Sequence, residues 1–223
     1  NSKYKSTTNR PENPLDTDSG HEAIDIFYSM DFNIHLDTTG TPLLNKNFRA
    51  KFLNNHTNKK ISLVGIPFDG SSQEIFEEFR TDWEGIKEET EEILNILNSN
   101  SFNISINTVV NKQNINDLST IYKNITKYPN VKRWELHQFI SLSKKSKSVK
   151  KRLKISDNNF MKAIESINNY KNIEISPKTS NRKRNFKYID FNGDIVIVNK
   201  RKKNVINNIR ALQKQEVEKI FKQ

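Results

Sequence analysis

The chain has 223 residues, 34% of them hydrophobic, with 13 phenylalanines and a formal net charge of +11. This length and apolar content suffice for one sizeable core, or one domain plus a small extension, and argue against global disorder. The sequence has no cysteine, which excludes disulfides, thiolate zinc sites and cysteine-held iron–sulfur clusters built from these residues alone.

No apolar run is long enough to span a membrane as a helix, and no signal-peptide pattern is present, so the expected compartment is the cytoplasm. The first residue is Asn1 rather than Met, which is expected of a processed, trimmed or partial chain. The four histidines are scattered without HxH or HExxH spacing, against a metal-dependent hydrolase. The basic balance fits a sequence in which Lys fills solvated positions before it fits an anionic partner such as nucleic acid.

Residues 1–19 are polar, contain Pro11 and Pro14, and read as a loop or frayed end. Ser19 or Gly20 caps an expected helix from His21 to Met30, with Ala23, Ile24, Phe27 and Met30 inward. Phe32 to Leu36 is a short strand, followed by the loop Asp37-Thr38-Thr39-Gly40-Thr41 and a helix over Leu43 to Asn55. Ile61 to Phe68 is a nearly continuous apolar run, the pattern of a strand buried on both faces. It leads through Asp69-Gly70-Ser71-Ser72 into a short helix ending at Arg80, and then into an amphipathic helix over Glu84 to Asn98 with Ile86, Ile93, Leu94 and Leu97 inward.

The next stretch is strand, loop, helix, turn, strand. Phe102, Ile104 and Ile106 alternate with Asn103, Ser105 and Asn107, the period of a strand with one apolar face. Asn111 to Asn114 is a polar loop. Ile115, Leu118, Ile121, Tyr122 and Ile125 repeat at helical spacing, and a second strand runs from Val131 to Phe139. Two strands joined by such a helix are parallel with a right-handed crossover. Polar side chains gather at the C-terminal ends of the strands, where such folds hold ligands.

Beyond Phe139 the pattern changes. Ser141 to Lys154 is a basic, serine-rich loop without an aromatic residue on which a base could stack. Asp157 caps a helix to Tyr170, Ile173 to Ser176 is a strand, and Lys178 to Asn185 is a second basic linker. Phe186 to Phe191 and Asp194 to Val198 form a hairpin around Asn192-Gly193, closed by a helix over Gln215 to Phe221. The expected organisation is a polar N-terminal segment (1–19), an α/β domain (20–177) and a C-terminal hairpin and helix (178–223).

Residues 106–118, INTVVNKQNINDL, followed by 131–139, VKRWELHQF, resemble the late strands of radical SAM enzymes, especially the viperin-like group, which reads roughly NTVV…N and then RWK…Q. Weaker likenesses accompany these. Arg10-Pro11-Glu12-Asn13-Pro14-Leu15 is similar to the GGEPLL segment, keeping Glu12 and the Pro-Leu pair without the glycines. Thr38-Thr39-Gly40-Thr41 is similar to TNGT, with Thr39 where Asn is usual. Asp69-Gly70, then Arg80, resembles an LDG…R segment.

The resemblance implies a partial parallel (βα) barrel of the radical SAM type that lacks its first βα unit, with an open edge where that strand would sit. It implies S-adenosylmethionine (SAM) as a cofactor. Glu12 would hold the amino group, Thr38 and Thr39 would line the loop beside SAM, and Asp69, Ser71 and Arg80 would meet ribose and carboxylate. Asn107 and Gln138 would line the barrel interior. His137 alternates to the other face from Gln138, and the expectation takes Gln138 inward. For Asp69 and Arg80 a helix cap and a solvated cation remain the other reading, as does an ordinary turn for Glu12.

The family's CxxxCxxC loop is absent. A [4Fe-4S] cluster, and with it 5′-deoxyadenosyl radical chemistry, is implied only with a further segment, from the parent chain or another polypeptide. The expected function is therefore the C-terminal part of a radical SAM enzyme acting on an unidentified small molecule or peptide. The alternative is a non-catalytic basic α/β protein that binds RNA or nucleotide.

Overall fold

The computed structural model describes residues 18–56, 60–79, 85–140, 151–167, 172–180, 186–189, 194–199, 202–208 and 211–221. Glu12, Arg80, residues 141–150 of the basic loop and the Asn192-Gly193 turn lie outside them. The chain divides into two compact units, Asn1–Pro177 and Lys178–Gln223.

In the first unit, α1 (Asp18–Ser29), β1 (Ile34–Asp37), a 3-10 turn (Thr41–Leu44), α2 (Lys46–Asn55), β2 (Ile61–Pro67), α3 (Gln73–Phe79), α4 (Ile86–Ser99), β3 (Ile104–Val110), α5 (Leu118–Ile125), β4 (Val131–Gln138), α6 (Asp157–Ile167) and β5 (Glu174–Lys178) follow in order. The strands form one sheet in the order β1-β2-β3-β4-β5. β1 and β2, β2 and β3, and β3 and β4 pair in parallel. Strands added one after another with crossovers of a single hand place all connecting helices on one side of the sheet. The result is a partial βα barrel with one helix-covered face and one open face, and β1 is an edge among the described residues.

Alternation decides which residues meet the helices. Val64, Ile66 and Phe68 from β2 and its end, Ile104, Ile106 and Val110 from β3, and Trp134 and Leu136 from β4 join one apolar cluster with the inward faces of α2, α4, α5 and α6. A chain of hydrogen bonds crosses three strands inside it. Trp134 Nε1 donates to Thr108 Oγ1 at 2.8 Å, and that hydroxyl donates to the Phe68 carbonyl at 2.7 Å. The odd-numbered residues, Gly65, Ser105, Asn107, Arg133, Glu135 and His137, take the opposite face.

α1 begins at Asp18, so Ser19 and Gly20 lie inside the helix rather than capping it, and three further element starts differ from expectation for local reasons. α2 begins after Asn45, whose side-chain oxygen accepts from the Asn47 and Phe48 amides, and Pro42 ahead of it favours the 3-10 turn. α5 begins at Leu118 rather than Ile115 because the Asn114 side chain bonds backbone in the preceding turn. At α6 the cap is Ser156, whose Oγ accepts from the Asn159 amide at 3.1 Å, leaving Asp157 to accept from Gln138 at 2.8 Å.

α1 meets α2 through two histidines. His21 Nδ1 and His56 Nε2 are hydrogen-bonded at 2.5 Å and the rings stack with centroids 4.8 Å apart. His56 is fully buried. That burial, and secondarily the neighbouring His21, lowers its pKa to about 4 from the usual 6.5. A depressed histidine means that the unfolded chain binds the extra proton first, so stability is complete above about pH 6.5 and is lost as pH falls toward 4. Denaturant titrations should show His56→Phe losing up to about 3 kcal/mol less than the parent between neutral pH and pH 4. Equal losses in both proteins would refute this assignment.

In the second unit, β6 (Phe186–Ile189), β7 (Asp194–Asn199) and β8 (Lys202–Asn208) form an antiparallel sheet in that order, followed by α7 (Lys214–Phe221). The expected hairpin and closing helix are present, and β8 is an addition. Its sequence KKNVINN has no alternation, and it forms by pairing with the Ile195–Val198 run of β7. Ile195, Val196 and Val217 are buried. Glu216 reaches back to the Gln213 amide at 2.8 Å, one half of a capping box on α7.

Candidate functional site

The open face of the sheet carries a polar assembly centred on Gly65. In register, Asp37 of β1 lies beside Gly65, Gly65 beside Ser105, and Ser105 beside Arg133, while Asn107 lies beside Glu135. Asn107 Nδ2 donates to Asp37 Oδ1 at 2.9 Å, passing over β2. Only glycine permits this crossing, since a Cβ at residue 65 would lie 1.9 Å from Asp37 Oδ1 and 2.8 Å from Asn107 Nδ2. On β4, His137 Nε2 is 3.2 Å from a Glu135 carboxylate oxygen, and Arg133 is 3.8 Å from the other. Arg133 also donates through Nε and Nη2 to Glu174 of β5, both at 3.1 Å. Hydrogen-bond acceptors, donors and charges of both signs thus share one face of the sheet, with Asp37 at the C-terminal end of β1 and Ser105, Arg133 and Glu174 nearer the starts of their strands.

The residues expected from sequence fall into two groups. Asn107 stands in this assembly. Thr38 and Thr39 stand at the loop end of β1, where Thr38 Oγ1 accepts from the Gly40 amide at 3.0 Å and the Thr39 and Thr41 hydroxyls lie 3.1 Å apart. Gly40 has φ of +75° and packs against α4, where a Cβ would come within 2.6 Å of Ile93.

Asp69 and Ser71 join elements together. Asp69 is fully buried, and its Oδ1 accepts from the Val109 amide at 2.8 Å. Ser71 donates from its amide and hydroxyl to the two carboxylate oxygens of Asp117, at 2.7 and 2.6 Å. Both thereby tie the end of β2 to the end of β3 and the start of α5.

Gln138 departs from expectation. It lies on the helix-covered side with Trp134 and Leu136, is 4% exposed, and bonds Asp157 and the Ile155 carbonyl. Parity then puts His137 on the open face, the reverse of the inward assignment made from sequence.

Sequence reading passed over Asp37, Gly65, Arg133, Glu135 and His137 as site residues. One signal was available, because a glycine inside the apolar run ISLVGIPF marks a place where another group approaches the strand closely. Among the described residues, no group of three or more His, Cys, Asp or Glu is arranged to hold a metal ion. No helix there is long and apolar enough to cross a membrane.

No family model and no curated protein sequence matches the chain. Solved structures do. One is native anSMEcpe with bound AdoMet and a Kp18Cys peptide, at 14% identity over 83% of this chain and 57% of that one, with a TM-score of 0.57. Another is a domain of pyruvate-formate lyase-activating enzyme from Bacteroides vulgatus, at 14% identity over 75% of this chain and 95% of that one, with a TM-score of 0.50. Both are radical SAM enzymes, and the chain has their fold, as a partial βα barrel with a C-terminal antiparallel extension. It spans 57% of the length of the first.

Proposed function

We propose that this chain is the SAM-binding part of a radical SAM barrel, and that SAM lies on the open face of the sheet over Asp37, Asn107 and Glu135. The observation that carries the proposal is the Asp37–Asn107 bond across Gly65, a polar bridge anchored at Asp37, the last residue of β1, and so at the strand end where parallel βα folds bind ligands. The donor set suits the cofactor. Asp37 and Glu135 offer acceptors to ribose hydroxyls and negative charge to a sulfonium. The Asn107 amide orients Asp37, and Thr38 and Thr39 border the loop above. Arg80 keeps the carboxylate role that the resemblance implies, and Glu12 the amino group.

The residues present do not fit a [4Fe-4S] cluster, because the sequence has no cysteine to ligate one. Any cluster would take its ligands from outside these 223 residues. The part of this chain is to bind and orient SAM and to shield it from water.

Calorimetric titration of the iron-free protein with SAM tests the reading. Saturable binding is expected, displaced by S-adenosylhomocysteine. Asn107→Ala should weaken it about tenfold, the loss of roughly one hydrogen bond. A folded protein that binds neither compound would end the proposal.

A further inference from the structure

The positive charge is divided unequally between the two units. Lys178–Gln223 holds 13 Lys and Arg against 4 Asp and Glu, a net +9 of the chain's +11, whereas Asn1–Pro177 holds 24 against 22. A sequence in which Lys simply fills solvated positions would load both units alike.

The acidic residues of the small unit are also partly engaged in its own structure. Asp194 accepts from the Asn208 side chain at 2.8 Å and Glu216 caps α7. Lys187 donates to the Ile220 carbonyl near the C-terminal end of that helix. Most of the remaining basic residues fall in two sequence runs, Arg182-Lys183-Arg184 and Lys200-Arg201-Lys202-Lys203. The second run leads into β8, an edge of its sheet. Beyond it Asn204, Val205, Ile206 and Asn207 are all exposed, Val205 at 62% and Ile206 at 44%. An edge strand with exposed amide and apolar side chains, preceded in the sequence by a basic run, is chemically mixed in a particular way. Cations meet phosphates, amides meet base edges, and apolar groups meet base faces. Base edges and faces are open together only in single strands. The unit's sequence also carries Phe186, Tyr188 and Phe191, residue types on which bases stack.

We propose that the unit Lys178–Gln223 is a binding module for single-stranded nucleic acid, with the phosphates following the basic run into β8. This is independent of the SAM reading, since it concerns the other unit and a different ligand.

The test is fluorescence anisotropy of labelled oligouridylate and oligothymidylate with the full chain, across about 50 to 200 mM salt. Binding should weaken linearly in log–log form, by about 0.7 for each phosphate contacted. Reversing Lys200, Arg201, Lys202 and Lys203 to glutamate should weaken binding at least about tenfold and flatten the slope by about 0.7 for each contact removed. The milder pair Lys202→Gln and Lys203→Gln should flatten it less with the circular dichroism unchanged, which separates lost contacts from lost folding. Reversal of Lys144, Lys145 and Lys147 in the other basic segment should leave binding intact. The proposal is overturned by no salt-dependent binding, by loss of binding only in the 144–147 variant, by stronger binding to a DNA duplex of equal charge, or by binding to phosphatidylserine vesicles without oligonucleotide binding.

Discussion

Replacing Asn114 by alanine destabilises the chain by about 3–4 kcal/mol. Asn114 is 1% exposed and its amide serves three backbone groups. Nδ2 donates to the Asp69 carbonyl at 2.8 Å and the Val109 carbonyl at 3.0 Å, and Oδ1 accepts from the Asn111 amide at 2.8 Å. Alanine leaves those groups buried with fewer partners, at about 1–3 kcal/mol for each one left bare. Part of the deficit is covered, because Asn111 Nδ2 also donates to the Val109 carbonyl, which is why the sum falls short of three full losses. Lys112→Ala, at an exposed neighbour in the same turn, should change stability by less than about 0.5 kcal/mol. Urea unfolding followed by circular dichroism measures both. A cost below about 1 kcal/mol for Asn114→Ala would mean that the turn is held by something other than this side chain.

Gly65→Ala separates the strand from the site. The added methyl would lie 1.9 Å from Asp37 Oδ1 and 2.8 Å from Asn107 Nδ2, so the two side chains must part and their bond breaks. The strain should cost about 1–3 kcal/mol, and SAM affinity should fall by at least about tenfold as the bridge beneath the ligand opens. Adding Asp37→Ala removes the carboxylate that clashes. The double variant should therefore be less destabilised than the two single variants summed, a coupling expected of contacting residues, while SAM binding stays weak. If Gly65→Ala binds SAM as the parent does, the bridge is a structural tie between β1 and β3 and the ligand lies elsewhere.

Much of the fold was legible because local patterns and packing agree. The alternation from Phe102 to Asn107 and the helical spacing through Leu118, Ile121, Tyr122 and Ile125 mark faces that are buried in the structure. The apolar run from Ile61 is a strand paired on both sides. β8 was not legible, since KKNVINN has no apolar face of its own and takes its conformation from the strand beside it.

The site divides along the same line. The sequence by itself determined that His137 and Gln138 face opposite ways, because successive residues of any strand do. It could not say which of them meets the helices. That choice depends on the register of β4 against β3, which shifts between Ile104 and Ser105, and on Asp157, which engages Gln138 only because Ser156 caps α6. Sequence likewise marked Asp69 and Ser71 as strand-end groups with polar chemistry to offer. Tertiary structure directs that chemistry to the Val109 amide and to Asp117, since a buried polar group binds the nearest partner the packing brings to it. Asp37, Gly65 and Asn107 are separated by tens of residues, and only strand pairing brings them together.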